Sequence, residues 1–325
     1  MSMLLGGFDI GGTKCAAVLG NATEGQINII GKRSFPTPAT PEETIRQFIA
    51  AMDELVAQAG QEGAGPLQAI GISCGGPLDS RKGLVLSPPN LPGWDGIDVV
   101  SPLRERFSVP VALQNDANAC ALAEWRWGAG RGVSNMVFLT FGTGMGAGLI
   151  LDGRLYAGIS DMAGEVGHMR LEHEGPVGYG KAGSFEGFCS GGGIARLGRA
   201  MAEKHQQEGG TTAICSDASE LDAISAKSVF DAANAGDALA LEVVQIVGRK
   251  LGRGLSLLVD VLNPERIVIG SIYARQEQLL RPIVMEELRQ EALSLSLTAC
   301  EIVPSGLGES VGDAASLSVA LHALE

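Results

Sequence analysis

Two stretches of this chain share one plan. FDIGGTKCAAVLG, starting at Phe8, and FLTFGTGMGAGLI, starting at Phe138, each lead apolar residues into a glycine-rich bend and out into apolar residues again. Apolar strands need a sheet to bury them, and a bend this rich in glycine closes a hairpin. Each hairpin is followed by mixed strand-like and helix-like segments, so the chain reads as two similar lobes. The two halves share too little sequence to form a repeat. A length of 325 residues, about twice a typical domain, agrees with two lobes.

After the first hairpin, INIIGKRSF reads as a third strand. PEETIRQFIAAMDELVAQAG reads as a helix, with Pro at its start, acids in its first turn and apolar residues three and four apart. LQAIGIS and VPVALQN are strand-like, and a helix begins directly after Asp116. Beyond the second hairpin a further turn falls at Asp152-Gly153. DALALEVVQIVGRKLGRGLSLLVDVLN reads as a helix of roughly 40 Å with Asp237 as its N-cap. ERIVIGS is a strand, YARQEQLLRPIVMEEL a helix containing a Pro, and GESVGDAASLSVALHAL a terminal helix.

Composition excludes several function classes. A net charge of −13 argues against binding along a phosphate backbone, which needs clustered Lys and Arg, so no nucleic-acid partner is expected. The cysteines at 15, 74, 120, 189, 215 and 300 form no C-x-x-C, and several lie in apolar runs. They read as small buried thiols of a reducing compartment. The start has no basic flank and too short an apolar run for a signal peptide, and no stretch spans a bilayer uninterrupted by Gly or charge. A cytoplasmic protein without a membrane partner is expected.

Two glycine motifs mislead. Gly142 to Ala147 spells G-x-G-x-x-A, but the dinucleotide fingerprint needs a helix to follow, and GLILDGRLYAG alternates like a hairpin. GISCG, residues 71–75, matches the hydrolase elbow G-x-S-x-G, which needs a helix directly after the serine. Gly76-Pro77 turns the chain instead, and no histidine has an evident path to Ser73. In DIGGTK, by contrast, context and chemistry agree. A strand delivers Asp9, Gly11 and Gly12 let the backbone approach an anion, and Thr13 and Lys14 add donors. Taken alone, a ligand-free hairpin fits equally well. The second bend, GTGMG at 142–146, favours a pair of phosphate-holding loops, and no G-x-x-x-x-G-K-[ST] loop competes. In QNDANA, Asn115 and Asp116 sit where a strand gives way to a helix. An acid there is commonly a helix cap. This one also lies between the two loops in sequence, where a carboxylate can take the proton of a hydroxyl attacking a phosphoryl group.

FDIGGTK, ISCGGP, NLPGW, QNDANA, FGTGMGAG, GEVGHM and IVIGS, in this order and almost end to end, resemble the ROK family of sugar kinases and related repressors. The resemblance implies an α/β, two-lobed actin-like ATPase fold, ribonuclease H-like, with an active-site cleft between the lobes. The expected lobes are 1–116 plus 309–325, and 117–308. ATP and Mg2+ are the implied cofactors, a hexose the substrate and a homodimer the assembly. By matched position, Asp116 would be the general base and Asn115 a sugar hydroxyl ligand. Gly76 and Asn90 would line the sugar pocket, which Glu165, His168 and Glu186 would complete. Asp9, Gly11, Gly12, Thr13 and Lys14 would hold phosphate and Mg2+. Thr140, Gly142, Thr143 and Gly144 would take the other side of the nucleotide, with Gly270 near its base. The implied reaction is ATP-dependent phosphorylation of a hexose at its 6-hydroxyl, with glucose first in line. An N-acetylhexosamine, fructose or allose, or a non-catalytic sugar-responsive regulator, are the alternatives. The helix-turn-helix module of the family's repressors is not expected, because the first kinase motif opens within the first ten residues.

Most family members carry C-x-C-G-x-x-G-C-x-E after GEVGH, and its cysteines join the histidine in a structural zinc site. Here the matching run is GYGKAGSFE: the first cysteine has no counterpart, Tyr179 takes the second position and Ser184 the third. One histidine cannot close a tetrahedral site, and Cys189 and His173 are out of register, so no structural zinc is expected. Tyr179, Phe185 and Phe188 are candidates to bury area in its place.

Overall fold

The structure, a computed structural model, describes residues 2–23 and 25–325. They form two compact units. The first gathers residues up to Ser134 with Gly148–Ala163 and Gly306–Glu325, and the second holds Asn135–Ala147 and Gly164–Ser305.

The first hairpin is formed by β1 (Met3–Ile10) and β2 (Lys14–Ala22), and β3 (Ile27–Pro36) extends it. Helix α1 (Pro41–Gln61) starts where Thr40 accepts a hydrogen bond from the Glu43 amide. Strand β4 (Leu67–Cys74) runs into a turn, so Ser73 lacks the helix that a nucleophile elbow requires. A small antiparallel sheet of β5 (Leu78–Asp79), β6 (Leu84–Leu86) and β7 (Asp95–Asp98) follows, then α2 (Ser101–Phe107). Strand β8 (Val111–Asn115) leads straight into α3 (Asp116–Trp127). The second hairpin is β9 (Met136–Phe141) and β10 (Met145–Leu151), continued by β11 (Arg154–Leu155). A strand, not a helix, follows Gly144, which removes the dinucleotide reading.

The second unit continues with β12 (Val177–Gly178), β13 (Lys181–Ala182), α4 (Phe185–Phe188) and α5 (Gly191–Gln207). After α6 (Ala226–Asn234), the long α7 (Ala238–Leu262) begins at the expected Asp237 cap, whose Oδ1 accepts from the Ala240 amide. Strand β14 (Arg266–Ile269), α8 (Ile272–Glu291), α9 (Ser294–Thr298) and β15 (Glu301–Pro304) complete it, and α10 (Val311–His322) returns to the first unit.

In the first unit the sheet order is β3-β2-β1-β4-β8, antiparallel among the first three strands and parallel from β1 to β8. One face buries Phe8, Ile72 and Leu113 against Phe48, Met52 and Leu55 of α1. The other buries Leu5, Val18 and Ala69 against α10 and the end of α3, through Leu317, Ala320, Ala123 and Trp127. A Cβ on Gly71 would fall 2.1 Å from the Ser316 carbonyl oxygen, so glycine there lets α10 lie directly on the sheet backbone. This packing corrects the expected boundary at residue 116. Helix α3 shares a core with α10, and Ser318 Oγ donates to the Ala119 carbonyl at 2.9 Å, so α3 belongs to the first unit.

The second sheet has the order β11-β10-β9-β14-β15, with β14 parallel to both neighbours in the second unit. Helix α7 buries Val243, Val247, Leu251, Leu255 and Leu258, a stripe at helical spacing, and packs on α8. No helix among the described residues is long and apolar enough to cross a membrane.

One buried acid closes the first unit. Glu124 of α3 is fully buried and accepts hydrogen bonds from the amides of Ala129 (2.8 Å), Gly306 (3.0 Å) and Leu307 (3.0 Å). Its carboxylate thus ties the end of α3 to the segment that leads into α10. Glu124→Ala would remove the carboxylate that three amides share and open a cavity, costing about 3 kcal/mol or more. The expected result is a clear fall in the urea midpoint, and an unchanged midpoint would contradict it.

Candidate active site

Parallel pairing lines up the carboxyl ends of three strands in the first unit: Ile10 pairs with Cys74, and Cys74 with Asn115. The residues after each strand therefore emerge together, Gly11 to Thr13 after β1, Gly75 and Gly76 after β4, and Asp116 after β8. Such strand ends are where open α/β sheets bind ligands. A Cβ on Gly12 would fall 2.5 Å from the Asn90 carbonyl oxygen, and one on Gly76 would fall 3.2 Å from Asn115 Nδ2. Gly12, Gly76, Asn90 and Asn115 are thus brought into one patch. Thr13 and Lys14 stand exposed at the bend, and Thr37 Oγ1 fixes it by donating to the Gly11 carbonyl at 2.5 Å.

Asn115 is the N-cap of α3. Its Oδ1 accepts from the Ala117 amide at 2.9 Å, which leaves Nδ2 to face Gly76. Asp116 is the first helical residue, and its Oδ1 accepts from the same amide at 2.8 Å. Both the cap reading and the catalytic reading of this pair are therefore compatible with the geometry. The Asp116 side chain keeps access to solvent, yet the protein around it desolvates the carboxylate and raises its pKa. Hydrogen bonds from the Ala117 amide and its own amide pull the other way. Asp9 is half-buried and pushed up to about 6, first by burial, then by the negative charges of Asp116 and Asp313, with Lys32 opposing. Lys32 itself pairs with Asp313 at 2.5 Å. Sequence reading missed both Lys32 and Asp313, whose approach spans almost the whole chain.

Burial first, and then the same acids, raise the Cys74 and Cys120 thiols far above their usual range. Thiols held protonated in this way make poor nucleophiles. Among the described residues, no group of three or more His, Cys, Asp or Glu side chains stands ready to hold a metal alone. Mg2+ in phosphoryl-transfer sites takes one or two carboxylates and draws its remaining ligands from water and phosphate. Asp9, a hard oxygen donor crowded by like charge, fits that demand.

In the second unit the bend Gly142 to Gly144 closes with the Gly142 amide donating to the Gly144 carbonyl at 3.2 Å. Thr140 Oγ1 accepts from the Gly146 amide at 2.9 Å, so Thr140 staples the hairpin. The bend opens on a cavity of about 680 Å³ whose wall includes Gly142, Thr143, Gly191, Ser225, Ser271 and Arg275. Helix α5 points its first turn at the bend: the Gly191 amide donates to the Gly142 carbonyl at 2.7 Å, and Ser190 caps the helix by accepting from Gly193. A glycine-lined bend beside a helix N-terminus is a setting for phosphate. Sequence reading missed the α5 contribution, although the run Ser190-Gly-Gly-Gly is an N-cap signal. Gly270 packs behind the cavity, with a Cβ there 3.2 Å from the Phe138 ring, and its neighbour Ser271 is the lining residue.

Glu165 and His168 lie exposed at either end of a 3-10 turn, Val166–His168. Gly167 lets that turn rest against the Met145 carbonyl, where a Cβ would fall at 2.2 Å. Glu186, in α4, turns toward the bend, and its Oε2 accepts from the Met145 amide at 3.1 Å. One loop therefore carries His168, Glu165 and Glu186 and meets the second glycine bend at Met145. Phe185 and Phe188 bury as expected. Tyr179 does not: it is 74% exposed, at φ +43°, in the tight turn Tyr179-Gly180 between β12 and β13. Both turn residues are left-handed, as a type I′ turn demands, and this points the ring outward. It meets the His168 ring edge-on at 6.4 Å.

Residues 5–320 match the ROK family. A glucokinase of Halalkalibacterium halodurans is 34% identical over 283 residues, 85% of this chain and 83% of the relative. The structure resembles a ROK family glucokinase from Streptomyces griseus in complex with glucose and AMPPNP, at 28% identity and a TM-score of 0.75. That likeness covers 98% of this chain and 99% of the other. A ROK hexokinase from Thermus thermophilus gives 28% identity and a TM-score of 0.78, over 100% and 99% of the two chains. With a match over nearly its whole length and the strand-end acids and glycine bends in place, this chain belongs to the ROK family.

Proposed function

We infer that the protein is an ATP-dependent hexose kinase that transfers the γ-phosphoryl group of ATP to the 6-hydroxyl of a hexose, glucose first. The observation that carries this reading is Asp116: an accessible carboxylate at the start of α3, with its pKa raised, beside Asn115, Gly76 and Asn90. A base works best with a pKa near the operating pH, and a raised carboxylate moves that way.

In the proposed mechanism Asp116 takes the proton of the attacking hydroxyl, and Asn115 Nδ2 donates to a neighbouring sugar oxygen. Asn90 and Gly76 in the first unit, and Glu165, His168 and Glu186 in the second, are the proposed remaining hexose contacts. The Gly11 to Lys14 bend and the Gly142 to Gly144 bend donate amides to the triphosphate, and the cavity beside α5 takes the nucleoside. Phosphoryl transfer asks the protein mainly for positioning and charge neutralisation. Asp9 would hold Mg2+, which when bound would supply neutralisation of phosphate charge. The six thiols, all unpaired and most of them buried, support a reducing cytoplasm. The proposed assembly is a homodimer.

ADP release measured across glucose, mannose, fructose, allose, N-acetylglucosamine and N-acetylmannosamine tests the reading. Hexose-dependent release with the highest kcat/KM for glucose is expected. Release that no sugar stimulates would refute it.

A further inference from the structure

The loop that carries His168 and Glu186 has little core of its own between them, and the question is what holds it. Its two arms pair along a short ladder. The Leu171 and Glu172 amides donate to the Gly183 carbonyl at 2.9 and 3.0 Å, and the Phe185 amide donates to the Met169 carbonyl at 2.8 Å. His168 lies at the start of the outgoing arm and Glu186 at the end of the returning arm. A ladder this short fixes the arms to each other, and their joint placement depends on contacts outside it, among them the Glu186 bond to the Met145 amide and the Arg196 bond to the Val177 carbonyl.

Helix α7 supplies further contacts along one face. Val247, Lys250 and Gly254 follow at helical spacing, and each meets the loop. The Val247 carbonyl accepts from Cys189 Sγ at 3.7 Å. Gly254 makes room for the Phe185 ring, which a Cβ there would approach to 2.4 Å. Lys250, between them, makes two contacts. Its Nζ pairs with Glu172 Oε1 at 2.5 Å on the outgoing arm and stands 5.4 Å from the centroid of the Phe188 ring, two residues past Glu186 in α4. Arg253, one turn on, adds a second pair to Glu172 at 2.8 Å and is itself held by Glu287 and Glu291 of α8. The Lys250 side chain is 19% exposed and the Glu172 side chain 38%, so the pair is half-buried and only partly shielded from solvent screening.

We propose that Glu172, Lys250 and Arg253 form a charge latch that positions His168 and Glu186 for the sugar, in a loop without the family's cysteines. Lys250 and Glu172 are positioning residues that act through the loop they hold. The proposal rests on the hexose-kinase reading for its kinetic effect and on geometry alone for its effect on the loop.

Lys250→Met and Glu172→Gln test it, with Lys250→Arg as the conservative control. In both disruptive variants the KM for glucose rises about tenfold, a fraction of what a full ångström of misplacement costs. The KM for ATP stays within about twofold. Hydrogen exchange of the amides in 168–186, measured without substrate, speeds up in both. Lys250→Arg restores the KM for glucose and the exchange rates toward those of the wild type. The latch is overturned by an unchanged KM for glucose, by glucose and ATP constants worsening in parallel, or by unaltered exchange in the loop. Should the wild type phosphorylate no hexose, the functional reading fails, and the exchange rates still decide the latch: faster supports it, unchanged removes it.

Discussion

Asp116→Asn is expected to lower kcat at least about a hundredfold while the hexose still binds with an affinity within a few-fold of wild type. Asparagine matches aspartate in shape, and its Oδ1 can go on accepting from the Ala117 amide, as the Asp116 carboxylate does at 2.8 Å. Asn115 caps the same amide independently, so the start of α3 stays in place. What the substitution removes is the capacity to accept the hydroxyl proton. A loss confined to kcat, with calorimetric sugar binding retained, is the signature of a group that acts in the transition state. Full activity in this variant would take Asp116 out of the mechanism.

Asp9→Asn is expected to make the protein more stable and nearly inactive. Burial and the charges of Asp116 and Asp313 lift the Asp9 pKa from 3.8 to about 6. The sign follows directly. Below pH 3.8 both the folded and the unfolded chain keep the proton, and between there and about 6 the folded chain holds it more tightly. Stability therefore falls as pH rises through that window and stays lower above it. Asparagine removes the charge, so at pH 7.5, without Mg2+ or nucleotide, the variant gains about 1–3 kcal/mol in urea unfolding. Turnover falls by about a hundredfold or more, because the proposed Mg2+ ligand is lost. For the wild type, kcat/KM declines as pH drops through about 6, where Asp9 takes up its proton. An Asp9→Asn protein that is both less stable and fully active would contradict the assignment.

Local punctuation made much of the fold legible. Thr40-Pro41 and Asp237 start their helices by chemistry visible within a few residues, and the glycines of DIGGTK and GTGMG close hairpins wherever they are flanked by apolar runs. Short strands carry too few residues to show a period, which is why β5 to β7 and β15 escaped sequence reading. Helix α5 escaped because three glycines at its start read as a loop until the Ser190 cap and the Gly142 contact are seen. The motif residues of the site were legible as chemical types, whereas their orientations were not. Tyr179 turns outward on a left-handed bend, Thr140 spends its hydroxyl on the hairpin, and Glu186 reaches the Met145 amide, 41 residues away in sequence. The Lys32–Asp313 pair and the Lys250–Glu172 latch depend on packing between distant segments that no local pattern announces.

The measurement closest to the centre of this account is mass spectrometry of the products formed from glucose and MgATP by the wild type and by Asp116→Asn. The account predicts one hexose monophosphate for each ADP in the wild type, and almost none in the variant over the same time. ADP formed without sugar phosphate, or equal yields from both proteins, would contradict it.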